Sequence, residues 1–245
     1  MDTSDVQLAL AIVGGFIGFA VLHSSLCSAS VKELAGNTFP KPLVRCYRLA
    51  FNIFSLLTVA PLWIWSHSGD VPCENMLVRW SFAPFGESVC DSPRAMIYEL
   101  DATPLFVVQA IQSVALIAFV AIALRSYDLM DFSGLSHLWS KNFNVETESQ
   151  PFTISMIHRF VRHPWYTCAI TSIWANGSLH MPLLAFSFSA TAYFALGSHY
   201  LEDRRLVESF GSQYAEYKKR VPGIVPLPWK WLSSAEADVL TKKRR

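Results

Sequence analysis

The stretch VQLALAIVGGFIGFAVLHSSLCSA, Val6–Ala29, decides the fold class: it contains no Asp, Glu, Lys or Arg. A helix of that length spans a hydrocarbon core of about 30 Å. Its neighbours repeat the message. Leu49–Trp65 and Pro104–Leu124 are uncharged as well, and two further apolar runs follow at Trp165–Asn176 and Met181–Leu201. A soluble chain of 245 residues has too little interior to bury five such segments, whereas lipid accommodates them as helices whose backbone groups pair internally. Composition agrees: residues of the AVILMFWYC set make up 52% and charged residues 16%, against a usual charged share of roughly 25%. The sequence therefore predicts an all-α integral membrane bundle of about five transmembrane helices. The last two form a tight hairpin, and a helical C-terminal tail follows. Asp2 and Asp5 precede the first run where a cleavable signal would carry basic residues, so that run reads as a retained helix.

Charge placement supplies a topology. Val31–Arg48 carries Lys32, Lys41, Arg45 and Arg48 against Glu33, and Arg125–His163 carries Arg125, Lys141, Arg159 and Arg162. The tail adds Arg204, Arg205, Lys218, Lys219, Arg220, Lys230 and the terminal Lys242-Lys243-Arg244-Arg245, while the 66–103 loop is mostly acidic. The positive-inside rule then sets the N-terminus outside and the tail in the cytosol. The net charge of +1 gives no reason to expect a nucleic-acid partner. Cys73 and Cys90 share the outside loop, where an oxidising compartment allows a disulfide. The five cysteines lack metal-ligand spacing, so no metal is expected. Asn176-Gly177-Ser178 matches a glycosylation acceptor, but in a turn too tight for use. Gly14 and Gly18 form a small-xxx-small pair that predicts close helix packing. Residues 1–130 read as a three-helix membrane region and 131–245 as a second unit holding the hairpin and tail.

Ionisable groups at membrane depth are functional candidates by default. Here they gather at one level. Arg162, His163, Pro164 and Tyr166 enter the fourth run, and His199, Glu202, Asp203, Arg204 and Arg205 leave the fifth. A short connection makes those helices antiparallel neighbours, so RHPWY faces HYLEDRR. Headgroup-facing arginines and an interfacial aromatic belt would explain the residues singly. Glu202 is harder to explain that way, because a carboxylate at a helix C-terminal end opposes the macrodipole. Beyond it, Leu201, Val207, Phe210, Tyr214 and Tyr217 recur at helical spacing, Gly211 interrupts, and VPGIVPLPW runs on as extended chain that packs back on the body or the interface.

These motifs carry a resemblance. Arg162-His163-Pro164, Tyr166, then Glu202, Asp203, Leu206, Phe210-Gly211, Tyr214, Tyr217 and Val221-Pro222 resemble the pattern of the membrane methyltransferases related to isoprenylcysteine carboxyl methyltransferase. The match covers about the last 85 residues. The segments LHSSLCSASVKEL, RCYRLAFNIFSLLTV and YDLMDFSGLSHLW are similar to the subfamily of methanethiol S-methyltransferases, NnrU-like proteins and nurim. Cys168 departs from it, standing where that subfamily often has glycine.

The resemblance implies S-adenosyl-L-methionine as methyl donor, held by Arg162, His163, Pro164, Tyr166, Glu202, Arg205, Tyr214 and Tyr217. An arginine or histidine suits the cofactor carboxylate, Glu202 its ribose or amine, and the tyrosines its adenine and sulfonium. His163 and Glu202 are the candidates to take a proton from an acceptor. It implies a small or membrane-soluble thiol as acceptor. A prenylcysteine carboxylate or a phospholipid amine is the alternative within the enzyme class, and a nurim-like structural role is the alternative outside it. The membrane would be the endoplasmic reticulum or nuclear envelope in a eukaryote and the inner membrane in a bacterium.

Overall fold

A computed structural model describes residues 3–67, 76–79, 102–126, 128–139, 151–174 and 178–242. The Cys73–Cys90 pair, most of the outside loop, the Asn176 acceptor and the last three basic residues lie outside the described residues. Apart from one short antiparallel ribbon, β1 (Met76–Arg79) with β2 (Ser178–His180), the described fold is helical.

α1 (Thr3–Cys27) and α4 (Tyr47–His67) are long apolar helices, and α9 (Met181–Leu196) continues through a π turn, Gly197–Glu202, into α10 (Asp203–Phe210). Asp5–Cys27, Tyr47–His67 and Met181–Phe210 are long and apolar enough to cross a membrane. α5 (Ala102–Ser126) is a further apolar helix of 25 residues. The expected fourth span is shorter than a crossing requires. α8 (Pro164–Trp174) has 11 residues, which at 1.5 Å each reaches only about 16 Å. It lies between α5 and α9, and the Trp174 indole N–H donates to the Thr191 hydroxyl at 2.8 Å.

α1 and α9 run side by side on a common core. Ile12, Phe16 and Phe19 pack with Leu62, Phe186 and Ala190. The rings of Phe16 and Phe186 meet edge to face at 5.5 Å, a geometry favoured by the aromatic quadrupole. The opposite faces remain apolar and exposed: Leu10, Ile17 and Val21 on α1, Leu56, Leu57 and Ile64 on α4, and Val114 and Ile117 on α5. Helices apolar on both faces around so small a core fit a lipid surround. Close approach falls at Gly15 rather than at the Gly14/Gly18 pair. A Cβ on Gly15 would lie 2.7 Å from the Leu62 side chain, while at Gly14 and Gly18 nothing among the described residues stands within 4 Å.

At the end of the bundle where α1 and α9 terminate, short helices close the structure. Ser28 caps α2 (Ala29–Thr38), which leads to α3 (Lys41–Arg45) and back into the bundle along α4. Asp128 caps α6 (Leu129–Ser133), and Gly134 turns the chain at φ 86° before α7 (Ser136–Trp139). A Cβ on Gly134 would lie 2.6 Å from the Leu49 backbone nitrogen, so glycine is needed there for two reasons. Arg48 and His137 both meet Asp131, at 3.1 and 2.8 Å.

The tail forms a second core. Gly211, at φ 60°, breaks α10 from α11 (Ser212–Arg220). Tyr214, Tyr217, Val221 and Leu232 are buried together against Phe152, Leu206, Val207 and Phe210. Leu201, expected on this face, is exposed instead; Leu206 takes its place. The proline-rich arm packs back as expected, strapped across the start of α8. The amides of Arg162 and His163 donate to the Pro222 and Gly223 carbonyls, each at 2.9 Å, and the Thr167 hydroxyl donates to the Ile224 carbonyl. α12 (Ser234–Thr241) then begins on a capping box of Ser233 and Glu236.

Candidate active site

The two motifs meet where the start of α8 faces the π turn. Glu202 ends that turn and Asp203 begins α10, yet the two face different surroundings. Asp203 is completely buried. Arg162 grips it with a fork, Nε to Oδ1 at 3.1 Å and a terminal nitrogen to Oδ2 at 2.6 Å. His163 Nε2 lies 3.0 Å from Oδ1, the Tyr214 hydroxyl donates to Oδ1 at 2.6 Å, and the Lys218 ammonium lies 3.4 Å from Oδ2. One carboxylate thus joins α8, α10 and α11. A buried charge persists only when so fully partnered. Burial, and after it the Asp203 charge, hold the Tyr214 phenol well above its ordinary pKa, so it remains a donor.

Glu202 is 38% exposed. His163 Nδ1 lies 3.4 Å from its carboxylate, and the Tyr166 hydroxyl hydrogen-bonds to it. His163 therefore sits between two carboxylates with both ring nitrogens occupied. Burial disfavours its cation, but hydrogen bonds to Asp203 and Glu202 outweigh burial and raise its pKa above the usual histidine value. Aromatic planes continue from it: His163 stacks on Tyr166 at 5.5 Å, and Tyr166 on Phe194 at 5.0 Å.

The candidate residues divide accordingly. His163, Tyr166 and Glu202 form one contiguous cluster, and Arg205 acts electrostatically on Glu202 from the exposed first turn of α10. Pro164 is buried as the first residue of α8, a position that needs no amide donor. Arg162, Tyr214 and Tyr217 turn inward. Arg162 also donates to the Lys218 and Val221 carbonyls, and the Tyr217 hydroxyl donates to the His158 carbonyl at 2.6 Å. Tyr214 and Tyr217 are each 3% exposed, so they wall the tail core rather than cover an open cleft. Cys168 is buried one turn into α8. Sequence reasoning named Asp203 within the motif but gave it no role; the signal was an acid followed two positions later by a second arginine, with no way to tell which acid turned inward. It also passed over Phe194, which packs on Tyr166.

Comparison with known proteins gives a consistent set of relatives. The chain is 25% identical to methanethiol S-methyltransferase 1 of Bradyrhizobium diazoefficiens over 227 residues, covering 92% of this chain and 69% of that protein. It is 24% identical to methanethiol S-methyltransferase of Crocosphaera subtropica over 219 residues, covering 89% of this chain and 75% of that protein. A shorter alignment of 75 residues to methanethiol S-methyltransferase of Pseudomonas deceptionensis reaches 33% identity, over 31% of this chain and 28% of that protein. No family model matches the chain, and no solved structure does. With long apolar helices and two alignments that run through nearly the whole chain, this is a membrane protein related to the methanethiol S-methyltransferases, the subfamily that its motifs resemble.

Proposed function

We propose that the protein is a membrane methyltransferase that uses S-adenosyl-L-methionine to S-methylate a small or membrane-soluble thiol. The observation that carries this reading is the half-open Glu202, held by His163 and Tyr166 at the polar end of an apolar bundle. A carboxylate anchored at a partly exposed position still has acceptor capacity for a hydroxyl or ammonium group of a ligand. The names of the relatives support the thiol class. We further infer from the charge distribution that the N-terminus is outside and the tail cytosolic, where soluble cofactor is available.

The residues present suit such a cofactor. Glu202 offers an acceptor, Arg205 a cation without an ion-pair partner among the described residues, and Tyr166 with Phe194 an aromatic surface for an adenine or a sulfonium. When bound, S-adenosyl-L-methionine supplies a methyl group already activated on sulfur, so positioning is the larger task for the protein. His163 holds the Glu202 carboxylate in place; with both nitrogens facing carboxylates it is a positioning residue rather than a free base. Tyr166 fixes the same carboxylate from the other helix. A thiol attacks as its thiolate and gives up its proton to solvent before transfer, so no residue is required as a dedicated base.

Purified protein is titrated with S-adenosylhomocysteine and then given labelled cofactor with methanethiol, hydrogen sulfide or a farnesyl-cysteine analogue. Methylation of either small thiol is expected. No binding of S-adenosylhomocysteine at millimolar concentration would remove the enzyme reading, and labelling of the farnesyl-cysteine carboxylate alone would replace the thiol by a carboxyl acceptor.

A further inference from the structure

The arginine best suited by sequence to an anionic ligand group, Arg162, is committed to Asp203 and to two backbone carbonyls. Two other cations, Lys32 and Arg205, lie within electrostatic reach of each other, and Arg205 also of Glu202. Arg205 lies three residues beyond Glu202 on α10. Lys32 lies in the first turn of α2, fixed there by the Ser28 cap, with its own amide donating to the Ser28 carbonyl at 3.2 Å. The packing register brings them together. α1 and α9 run in the same direction, with Phe16 against Phe186 at 5.5 Å, Phe19 against Tyr193 at 5.6 Å and His23 against Tyr193 at 6.0 Å. Carried one more turn, the junction of α1 and α2 arrives beside the π turn and the start of α10. Cys27, the last residue of α1, accordingly lies within electrostatic reach of Lys32, Arg205 and Glu202.

Neither Lys32 nor Arg205 has an ion-pair or side-chain hydrogen-bond partner among the described residues. Lys32 is half-buried. Burial first, and then the like charge of Arg205, disfavour its ammonium form. Lys32, half-buried, and Arg205, exposed, lie within electrostatic reach of each other and repel unless an anion joins them, and the Glu202 carboxylate lies within reach of Arg205. Two positive groups beside one negative group complement a zwitterion. We propose that Lys32 and Arg205 together receive the α-carboxylate, and Glu202 the α-ammonium, of the methionine end of the cofactor. This rests on the function proposed above and adds Lys32, from the N-terminal half of the chain, to a site otherwise built from the last 85 residues. α2 thereby becomes the wall that reads the amino-acid end of the ligand.

The test uses two ligands that differ only at that end. S-Adenosylhomocysteine carries the amino-acid group, and 5′-methylthioadenosine lacks it. Each is titrated by calorimetry against the full chain in neutral phosphatidylcholine nanodiscs, as wild type and as Lys32→Gln, Arg205→Gln and the double variant. Each single change is expected to weaken S-adenosylhomocysteine by about tenfold, the size of a lost charge-assisted contact, and to leave 5′-methylthioadenosine within about twofold. Retained binding of 5′-methylthioadenosine also shows that the variants are folded, and Lys32→Arg is expected to restore most of the loss. Equal weakening of both ligands, or unchanged affinity for S-adenosylhomocysteine, would overturn the assignment while leaving the cofactor intact. The same holds if the variants lose only association with anionic lipid vesicles. A wild type that binds neither ligand would overturn the proposed function, and this assignment with it.

Discussion

Replacing Asp203 by asparagine tests how the tail is held against the bundle. The side chains are nearly isosteric, so the change removes a charge and leaves the shape. In the wild type that carboxylate receives both arms of Arg162, the imidazole of His163 and the hydroxyl of Tyr214, with the Lys218 ammonium nearby. The variant leaves the Arg162 guanidinium, only 8% exposed, without a counter-charge. Removing one partner of a buried ion pair costs about 3–5 kcal/mol, because the surviving charge stays desolvated. At about 2–4 °C per kcal/mol for a chain of this size, the melting temperature falls by on the order of 10 °C. The assay is thermal unfolding in detergent followed by tryptophan fluorescence, with limited proteolysis to ask whether residues after Glu202 open first. Arg204→Ala serves as the control, since its pair with Glu208 is on the surface and contributes little. The double variant Arg162→Met/Asp203→Leu removes both charges of the fork but strands the His163 imidazole and the Tyr214 hydroxyl, so it should recover only part of the loss. An asparagine variant that melts within about 2 °C of wild type, with an unchanged proteolytic pattern, would refute the claim that this ion cluster fastens the tail.

Other outcomes follow from the same geometry. Glu202→Gln should abolish binding of S-adenosylhomocysteine while shifting the melting temperature far less than Asp203→Asn, because its carboxylate is partly solvated; calorimetry and thermal unfolding read the two effects separately. Stability should peak near about pH 6.5. The His163 cation is favoured in the fold, so its contribution is complete below that pH and is lost as pH rises through the raised folded value. His158 is the reverse: burial, and then the nearby His163 charge, lower its pKa, so stability is lost as pH falls below the unfolded value. His163→Gln should flatten the alkaline limb of a melting-temperature profile, and His158→Gln should make the acid limb shallower without removing it, because burial lowers the pKa of His180 as well; a wild-type profile flat between about pH 5 and 8 would contradict both. Gly134→Ala should lower the melting temperature through both its positive φ and its contact with the Leu49 backbone, whereas Gly18→Ala, with open space around it, should not.

The fold was legible where hydropathy alone sets the answer. Runs such as Val6–Ala29 have one stable form in lipid, and the helices fall where those runs lie. The fourth run was legible as short, with about 12 residues before the Asn176-Gly177 turn signal, and α8 has 11. What sequence could not give is how its start is held: strapping to the Pro222–Ile224 arm joins residues about sixty positions apart. The Gly14/Gly18 motif misled for a related reason. Which face of α1 meets α4 depends on the Leu62 side chain, and spacing within α1 carries no information about it.

The site divides in the same manner. That RHPWY would face HYLEDRR followed from chain connectivity, since antiparallel neighbours joined by a short link must bring those ends together. Which side chains point outward did not follow, because the π turn decides it. Successive helical residues differ by 100°, so one of two consecutive acids can enter the core while the other stays at its edge, and the phase of the helix sets which one does. The wider turn at Gly197–Glu202 resets the phase just before Asp203. Asp203 goes wholly inside, where Arg162, His163 and Tyr214 meet it, and Glu202 remains at the opening. Two neighbouring acids thus acquire opposite tasks, one joining three helices and the other facing the cleft, with His163 touching both. Because His163 links them, a ligand that engages Glu202 bears on the same imidazole that helps to fasten the tail. Ligand binding should therefore protect the α10–α11 break at Gly211 from proteolysis in the wild type and fail to do so in His163→Gln; protection that persists in that variant would mean the two carboxylates act independently.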